Sequence, residues 1–188
     1  MPFNLRFVSS KSFIRKRAKH FFILEAKGSF MVNVTYVSGN ASLIDRVVSL
    51  WEELNRQHLS LSPYFKDYYH TLTFEDRKRS IQQRALGGEI RVDLALDDSG
   101  QPIAYCISTI DRWLAGEIDS IFVDPQYRGQ GIGTALMEKA LDWLRIKGAK
   151  KNIVSVAVGN EQAYVFYEQF GFFPRRTLLE QKKAVKRK

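Results

Sequence analysis

Ile121-Phe-Val-Asp-Pro-Gln-Tyr-Arg-Gly-Gln-Gly-Ile-Gly-Thr-Ala-Leu136 is the stretch on which the reading of this chain turns. An apolar run ends at Val123, a proline turn follows, and helical periodicity begins by Ile132. Between strand and helix stand Gly129, Gly131 and Gly133. They let backbone N–H groups approach a ligand with no Cβ in the way, and the helix start adds unpaired N–H groups and partial positive charge. Such a turn is a seat for a phosphate.

The flanks extend this into a β-α-β unit. Leu114–Val123 alternates as a strand, and the alternation puts Glu117, Asp119, Ile121 and Val123 on one face and Ile118, Ser120 and Phe122 on the other. Two carboxylates are thereby side by side. After the glycines, Ile132, Ala135, Leu136, Ala140, Trp143 and Leu144 mark one helical stripe, stopped by Lys147-Gly148. Asn152–Val158 is nearly continuous in apolar residues, as expected of an interior strand parallel to its predecessor. Gly159-Asn160 breaks the chain, Glu161–Phe170 returns to helix, and a final short strand is expected near Thr177–Gln181.

Upstream, Met31–Val37 reads as a first strand. A helix capped by Ser42 comes next and runs to about Gln57, on the spacing of Leu43, Ile44, Val47, Val48, Leu50, Trp51 and Leu54. His58–His70 is an aromatic loop that either lines a substrate pocket or packs onto the body, and its two histidines lack metal-site spacing. A second helix spans about Thr73–Leu86, with Thr73 as cap and Gly87-Gly88 as terminator. Glu89–Leu96 and Pro102–Ile110 form a hairpin around Asp97-Asp-Ser-Gly100.

The 188 residues suffice for one domain, and 45% apolar with 13% aromatic content excludes wholesale disorder. The formal charge of +9 is concentrated at the ends: residues 1–30 and 175–188 each carry seven Lys/Arg against one Glu, and the stretch between is net negative. Residues 1–30 are therefore expected to be a basic, flexible extension that the fold does not need, residues 31–182 a single domain, and residues 183–188 a basic tail. A nucleic-acid partner would have to use those ends, and no nucleic-acid module is recognisable. The lone Cys106 suits a reducing cytoplasm, no metal set is visible, and Phe21–Leu24 is too short to span a bilayer, so no membrane partner is expected.

Among phosphate-binding turns, a triphosphate loop would place Lys and then Ser/Thr after its last glycine, whereas Thr134 follows Gly133 directly. The dinucleotide fingerprint would need a third glycine where Thr134 stands, in a first rather than a late β-α-β unit. What does match is Arg128-Gly-Gln-Gly-Ile-Gly133 followed downstream by Asn160-Glu-Gln-Ala-Tyr-Val-Phe-Tyr-Glu-Gln-Phe-Gly-Phe172. Together these resemble the GNAT superfamily of acetyl-CoA-dependent N-acetyltransferases, whose Arg/Gln-x-x-Gly-x-Gly/Ala signature is met by Arg128, Gly131 and Gly133. The second block resembles the family's Asn-x-x-Ala and Tyr-Glu-x-x-Gly-Phe segments.

The resemblance implies an α/β (α+β) fold, with a mixed, twisted sheet flanked by helices and its fourth and fifth strands splayed around an acyl-CoA. It implies acetyl-CoA as donor, an amine acceptor that is a small molecule or a protein, no metal, and room for a homodimer. Cofactor contacts would come from Ile121, Phe122, Val123, Arg128, Gly129, Gln130, Gly131, Ile132, Gly133, Thr134, Asn160 and Tyr167. Arg128 reads otherwise as a surface arginine and Asn160 as a turn residue. Glu117 matches the glutamate some members use as base, with Asp119 the alternative. Tyr167 falls where the family places the acid for the leaving thiolate, with Tyr164 one turn away. The competing readings are a non-catalytic acyl-CoA sensor of the same fold and a nucleic-acid binder using the basic ends.

Overall fold

In the computed structural model, residues 33–182 are described. The basic extension (1–30) and the tail (183–188) read from the sequence lie outside them. Five strands form one sheet in the order β1-β2-β3-β4-β5: β1 Thr35–Gly39, β2 Glu89–Leu96, β3 Pro102–Ile110, β4 Ala115–Val123 and β5 Lys151–Val154. The first four are antiparallel to their neighbours, and β5 runs parallel to β4. Five helices accompany them: α1 Val48–Leu61, α2 Lys66–Thr71, α3 Phe74–Arg84, α4 Ile132–Ile146 and α5 Ala163–Glu168.

The sheet has a core on each face. One holds Ile44, Trp51, Phe74 and Ile81 of the α1–α3 layer against Val92, Leu94, Tyr105, Ile107 and Phe122. The other holds Leu136, Met137, Ala140 and Leu144 of α4 against Ala95, Ala104, Cys106 and Ile118. The α3 start is set by a capping box: Thr73 accepts from the Asp76 N–H at 3.1 Å, and Asp76 accepts from the Thr73 N–H at 3.4 Å. Gly88 closes the α3–β2 connection where no side chain fits, since a Cβ there would stand 1.9 Å from the Ile110 carbonyl oxygen.

Several expectations need correction. Of the strand expected over Met31–Val37, Met31 and Val32 lie outside the described residues; among those described the first strand is Thr35–Gly39, in register with Leu96 through Val92. Asn40, not Ser42, caps the next segment, accepting from the Ser42 N–H, and the chain makes a 3-10 turn over Ala41–Val47 before α1. The aromatic loop is partly helical, because α1 continues to Leu61 and α2 forms over Lys66–Thr71. Met137 belongs to the buried stripe of α4, whereas Ala135 is only half-buried.

β5 is a short edge strand, not an interior one ending at Val158. Its pairing runs only from Ala115↔Lys151 to Ile118↔Val154, and then the strands part. Thr177–Gln181 forms no strand; Leu178 and Leu179 are 86% and 89% exposed, so adjacent leucines with no partner edge had neither ladder bonds nor a buried face to hold them extended.

The facing of β4 also differs. Ile107 pairs with Ser120 and Ser108 with Ile118, so Asp119 is an extra residue in the ladder. One extra residue reverses the alternation beyond it. Glu117 therefore shares its face with Ser120 and Phe122, on the side of α1 and α3, whereas Ile121 and Val123 pack with Ile118 against the α4 side. The carboxylates remain side by side, and the bulge that separates them from Ile121 and Val123 is invisible to a period-two reading.

Candidate active site

Beyond Ile118 and Val154, residues 119–123 of β4 keep β3 on one side and have no partner on β5. A cavity of about 330 Å³ occupies the split. Glu117, Asp119, Ser120 and Ile121 line it from β4; Val154, Ser155, Val156 and Ala157 from β5 and its continuation; Asn160 and Tyr167 from the segment beyond. The far wall comes from α1, where Trp51, Leu54, Asn55 and His58 fall on one helical stripe, and from Tyr68, Tyr69 and Leu72. The aromatic segment thus lines the cavity. Tyr164 does not.

Arg77 and Arg84, seven residues apart and so on one face of α3, close the base of the cavity. Arg84 spans the two carboxylates, with Nη1 3.4 Å from Glu117 Oε2 and Nε 2.7 Å from Asp119 Oδ1. The second contact is an ion pair without hydrogen-bond alignment, leaving Oδ1 short of a well-formed bond. Arg77 donates to the backbone carbonyl of Asp119 and lies 4.0 Å from its carboxylate. Thr109 donates to Asp119 Oδ2 at 2.6 Å. The bulge residue is thus fully enclosed, at 0% side-chain exposure, while Glu117 keeps 12%.

Burial raises the Glu117 pKa first and the negative charge of Asp119 raises it further, against the pull of Arg84, Arg77 and the Ser155 hydroxyl. Burial likewise raises Asp119, against Thr109 and the two arginines. Burial raises the Tyr167 phenol well above its ordinary value, which keeps its proton at neutral pH. His58 moves the other way, lowered by burial and then by Arg77, and is held neutral. Glu117 and Arg84 also line a second cavity of about 160 Å³, with Thr109, Asp111 and Lys151.

At the far end of the unpaired edge, about 13 Å of extended chain from Asp119, Asp124 caps a 3-10 turn at Pro125–Tyr127. The Arg128 side chain folds back, Nε donating to the Val123 carbonyl at 2.9 Å and a terminal nitrogen reaching Gln57 Oε1 at 3.3 Å. Gly129 and Gly131 both adopt φ +78, and a Cβ on either would meet nothing within 4 Å. Conformation, and not crowding, demands glycine there. Gly131 caps α4 without a side chain, so the first-turn N–H groups of Ile132, Gly133 and Thr134 have no side-chain acceptor. Gly133 packs near Val123 and Phe166, and Gln130 is exposed.

The structure thus gathers Glu117, Ile121, Asn160 and Tyr167 in one cavity and leaves the glycine turn at the end of the same strand edge. Two expected contacts are narrower than the sequence implied. The Phe122 and Ile132 side chains are buried in the two cores and the Phe122 backbone is paired with Tyr105 of β3, so of the two only the first-turn N–H of Ile132 is available to a ligand. Asn160 also serves the turn, its carbonyl accepting from the Ala163 N–H. Arg77, Arg84, Ser155 and Asn55 were missed. The spacing of the two arginines on α3 was the available signal.

Residues 48–172 match the family model described as the acetyltransferase (GNAT) family. The chain belongs to the GNAT family. An uncharacterized N-acetyltransferase from Methanocaldococcus jannaschii is 36% identical over 95 residues, 47% of this chain and 42% of its own length. The ribosomal protein bS18-alanine N-acetyltransferase of Escherichia coli K12 is 33% identical over 85 residues, 45% of this chain and 57% of the relative. The matched stretch therefore spans about half the length of these curated relatives. The crystal structure of a GCN5-related N-acetyltransferase from Ralstonia eutropha superposes with a TM-score of 0.62 at 17% identity, covering 80% of this chain and 99% of that one, a likeness of GNAT fold.

Among the described residues, no group of three or more His, Cys, Asp or Glu side chains could hold a metal ion, and no helix is long and apolar enough to cross a membrane.

Proposed function

We propose that this protein transfers an acetyl group from acetyl-CoA to a primary amine by direct attack in a ternary complex. The observation that carries this reading is the single split between β4 and β5, with an uncapped glycine-rich helix start at one end of its open edge and a buried carboxylate pair at the other. The residues present fit an acyl-CoA: the edge of residues 119–123 has no partner on β5, its Asp119 and Val123 carbonyls being taken by Arg77 and Arg128, and the space above Gly129 and Gly131 is open. Backbone N–H groups of Gly129–Thr134 would hold the pyrophosphate, with Arg128 adding charge, and Ile121–Val123 with Asn160 would hold the pantetheine arm.

The bound donor supplies an activated thioester. The rest is work for this chain's residues. A protonated amine must lose two protons as its C–N bond forms and the thioester C–S bond breaks. Glu117 would take one and pass it toward solvent; its raised pKa brings it closer to the strength a base needs near neutral pH. Tyr167, whose proton is retained, would supply the proton that ends on the departing sulfur, and the nitrogen's remaining surplus proton would balance that loss. A backbone N–H near Val123 would stabilise the oxyanion. Residues 31–182 would constitute this unit, with 1–30 dispensable to its folding.

Steady-state release of CoA thiol from acetyl-CoA with a panel of primary amines tests the reading. Turnover that requires an amine is expected. Tight acetyl-CoA binding with no turnover on any amine would establish the sensor reading instead.

A further inference from the structure

Resting on that reading, the charges around the cavity bear on which amine it serves. Its walls carry two carboxylates, Glu117 and Asp119, and two guanidinium groups, Arg77 and Arg84. His58 is held neutral, and the other walls are aromatic, apolar or amide: Trp51, Leu54, Tyr68, Tyr69, Leu72 and Asn55. With both carboxylates ionised the charges cancel. Asp67, which would have added negative charge for a polycation, lies outside the cavity on the exposed first turn of α2.

A polyamine or aminoglycoside carries several ammonium groups, and uncompensated negative charge is what favours taking several of them out of water together. Here the carboxylates are already engaged. Arg84 bridges both, Arg77 holds the backbone and flank of Asp119, and Thr109 takes the other Asp119 oxygen. A polycation would find both carboxylates already charge-compensated and two fixed positive charges beside it.

Arg84 offers the opposite. Its side chain is 36% exposed, and a guanidinium has five N–H donors in a planar fork. Contacts to Glu117, Asp119 and a long 3.5 Å approach to Ser80 leave donors over. An oxygen two bonds from the amine-bearing carbon can meet that fork while the nitrogen lies against Glu117.

We infer that Arg84, supported by Arg77, sets the acceptor class: the site takes an α-amine whose neighbouring carbonyl or carboxylate is held by Arg84, and discriminates against polycations. Where that neighbour is a peptide carbonyl, the amine has a pKa of about 8, against about 10.4 for a lysine side chain, so the base works on a nitrogen already partly neutral.

The test compares kcat/KM for trialanine, free alanine, Nα-acetyl-lysine methylamide and spermidine, followed by CoA thiol release. An α-amine acceptor is expected to lead the lysine side chain and spermidine by about tenfold or more. Trialanine ahead of alanine assigns a peptide N-terminus, and the reverse order assigns an amino acid; either supports the inference. Spermidine or the lysine derivative in first place overturns it and leaves acetyl transfer standing. No turnover with any of them, despite acetyl-CoA binding by calorimetry, overturns both.

Arg84→Gln provides a second readout, because it leaves the cavity net negative. The spermidine-to-trialanine ratio of kcat/KM is expected to rise about tenfold, mainly through a higher KM for trialanine, and Arg84→Lys to recover part of it. A purely structural Arg84 would lower all acceptors together. An unchanged ratio removes Arg84 from specificity.

Discussion

Replacing Glu117 by Gln keeps the side chain's size and deletes its charge at the one site where a base is proposed. Glu117 is 12% exposed and faces Arg84 at 3.4 Å, and Arg84 retains its 2.7 Å contact with Asp119 in the variant. Folding should survive. Burial and Asp119 hold the Glu117 pKa above its unfolded value, so its ionisation disfavours the folded state: stability linked to this group is present at low pH and lost as pH rises through the raised folded value. Gln removes that loss, and Tm at neutral pH is expected not to fall.

Activity should behave oppositely. A positioned base contributes about 10²–10⁴-fold. An α-amine of pKa about 8 is about one-tenth neutral at pH 7 and about nine-tenths neutral at pH 9. With such an acceptor, Glu117→Gln should lower kcat/KM about 100-fold at pH 7, and the deficit should shrink to about tenfold at pH 9 as the amine sheds its own proton. The wild-type profile should carry an acid limb above the ordinary carboxylate range, rising with pH, that the variant lacks. Asp119→Asn should move that limb to lower pH, because it removes the neighbouring negative charge that is the second cause of the shift. The assay is initial CoA thiol release from pH 5.5 to 9.5, with Tm recorded in parallel. A Glu117→Gln enzyme within about threefold of wild type at pH 7, with the same acid limb, would refute Glu117 as base.

Tyr167→Phe should lower kcat about 100-fold and leave acetyl-CoA affinity by calorimetry nearly intact. The ring keeps its contacts with Phe166 and Phe172, and its hydroxyl makes no hydrogen bond among the described residues. Unchanged kcat would remove it from the chemistry. Gly131→Ala should cost about 1–2 kcal/mol for its left-handed φ and weaken acetyl-CoA binding about tenfold or more, because the new methyl stands in the open space over the turn. Undiminished affinity would place the phosphates elsewhere. Gly88→Ala should cost about 3 kcal/mol or more, since its Cβ would fall 1.9 Å from a backbone oxygen that cannot swing aside, and thermal unfolding should show Tm about 6–12 °C lower. A Tm within two or three degrees of wild type would show that the α3–β2 connection yields.

Local rules carried the reading a long way where cause and effect lie within a few residues. The hairpin Glu89–Leu96/Pro102–Ile110, the Thr73 cap and the α4 stripe were legible because turn residues, caps and periodicities act over one or two turns of chain. The glycine turn was legible for the same reason, and with Asn160–Phe172 it pointed to an acyl-CoA fold. Thr177–Gln181 misled because a short apolar segment becomes a strand only when a partner edge accepts it, and none did.

The sequence by itself determined the β-hairpin and the β-α-β unit, the glycine-rich turn proposed to seat a phosphate, and the candidacy of Glu117 and Tyr167, all written in contiguous residues. Tertiary structure alone decided where β5 leaves β4, after four paired residues, that Asp119 is an extra residue turning β4 over, and that Arg77 and Arg84 arrive from α3 to bind both carboxylates. Strand register and the meeting of side chains more than thirty residues apart are settled by packing whole layers together, and no local pattern encodes them.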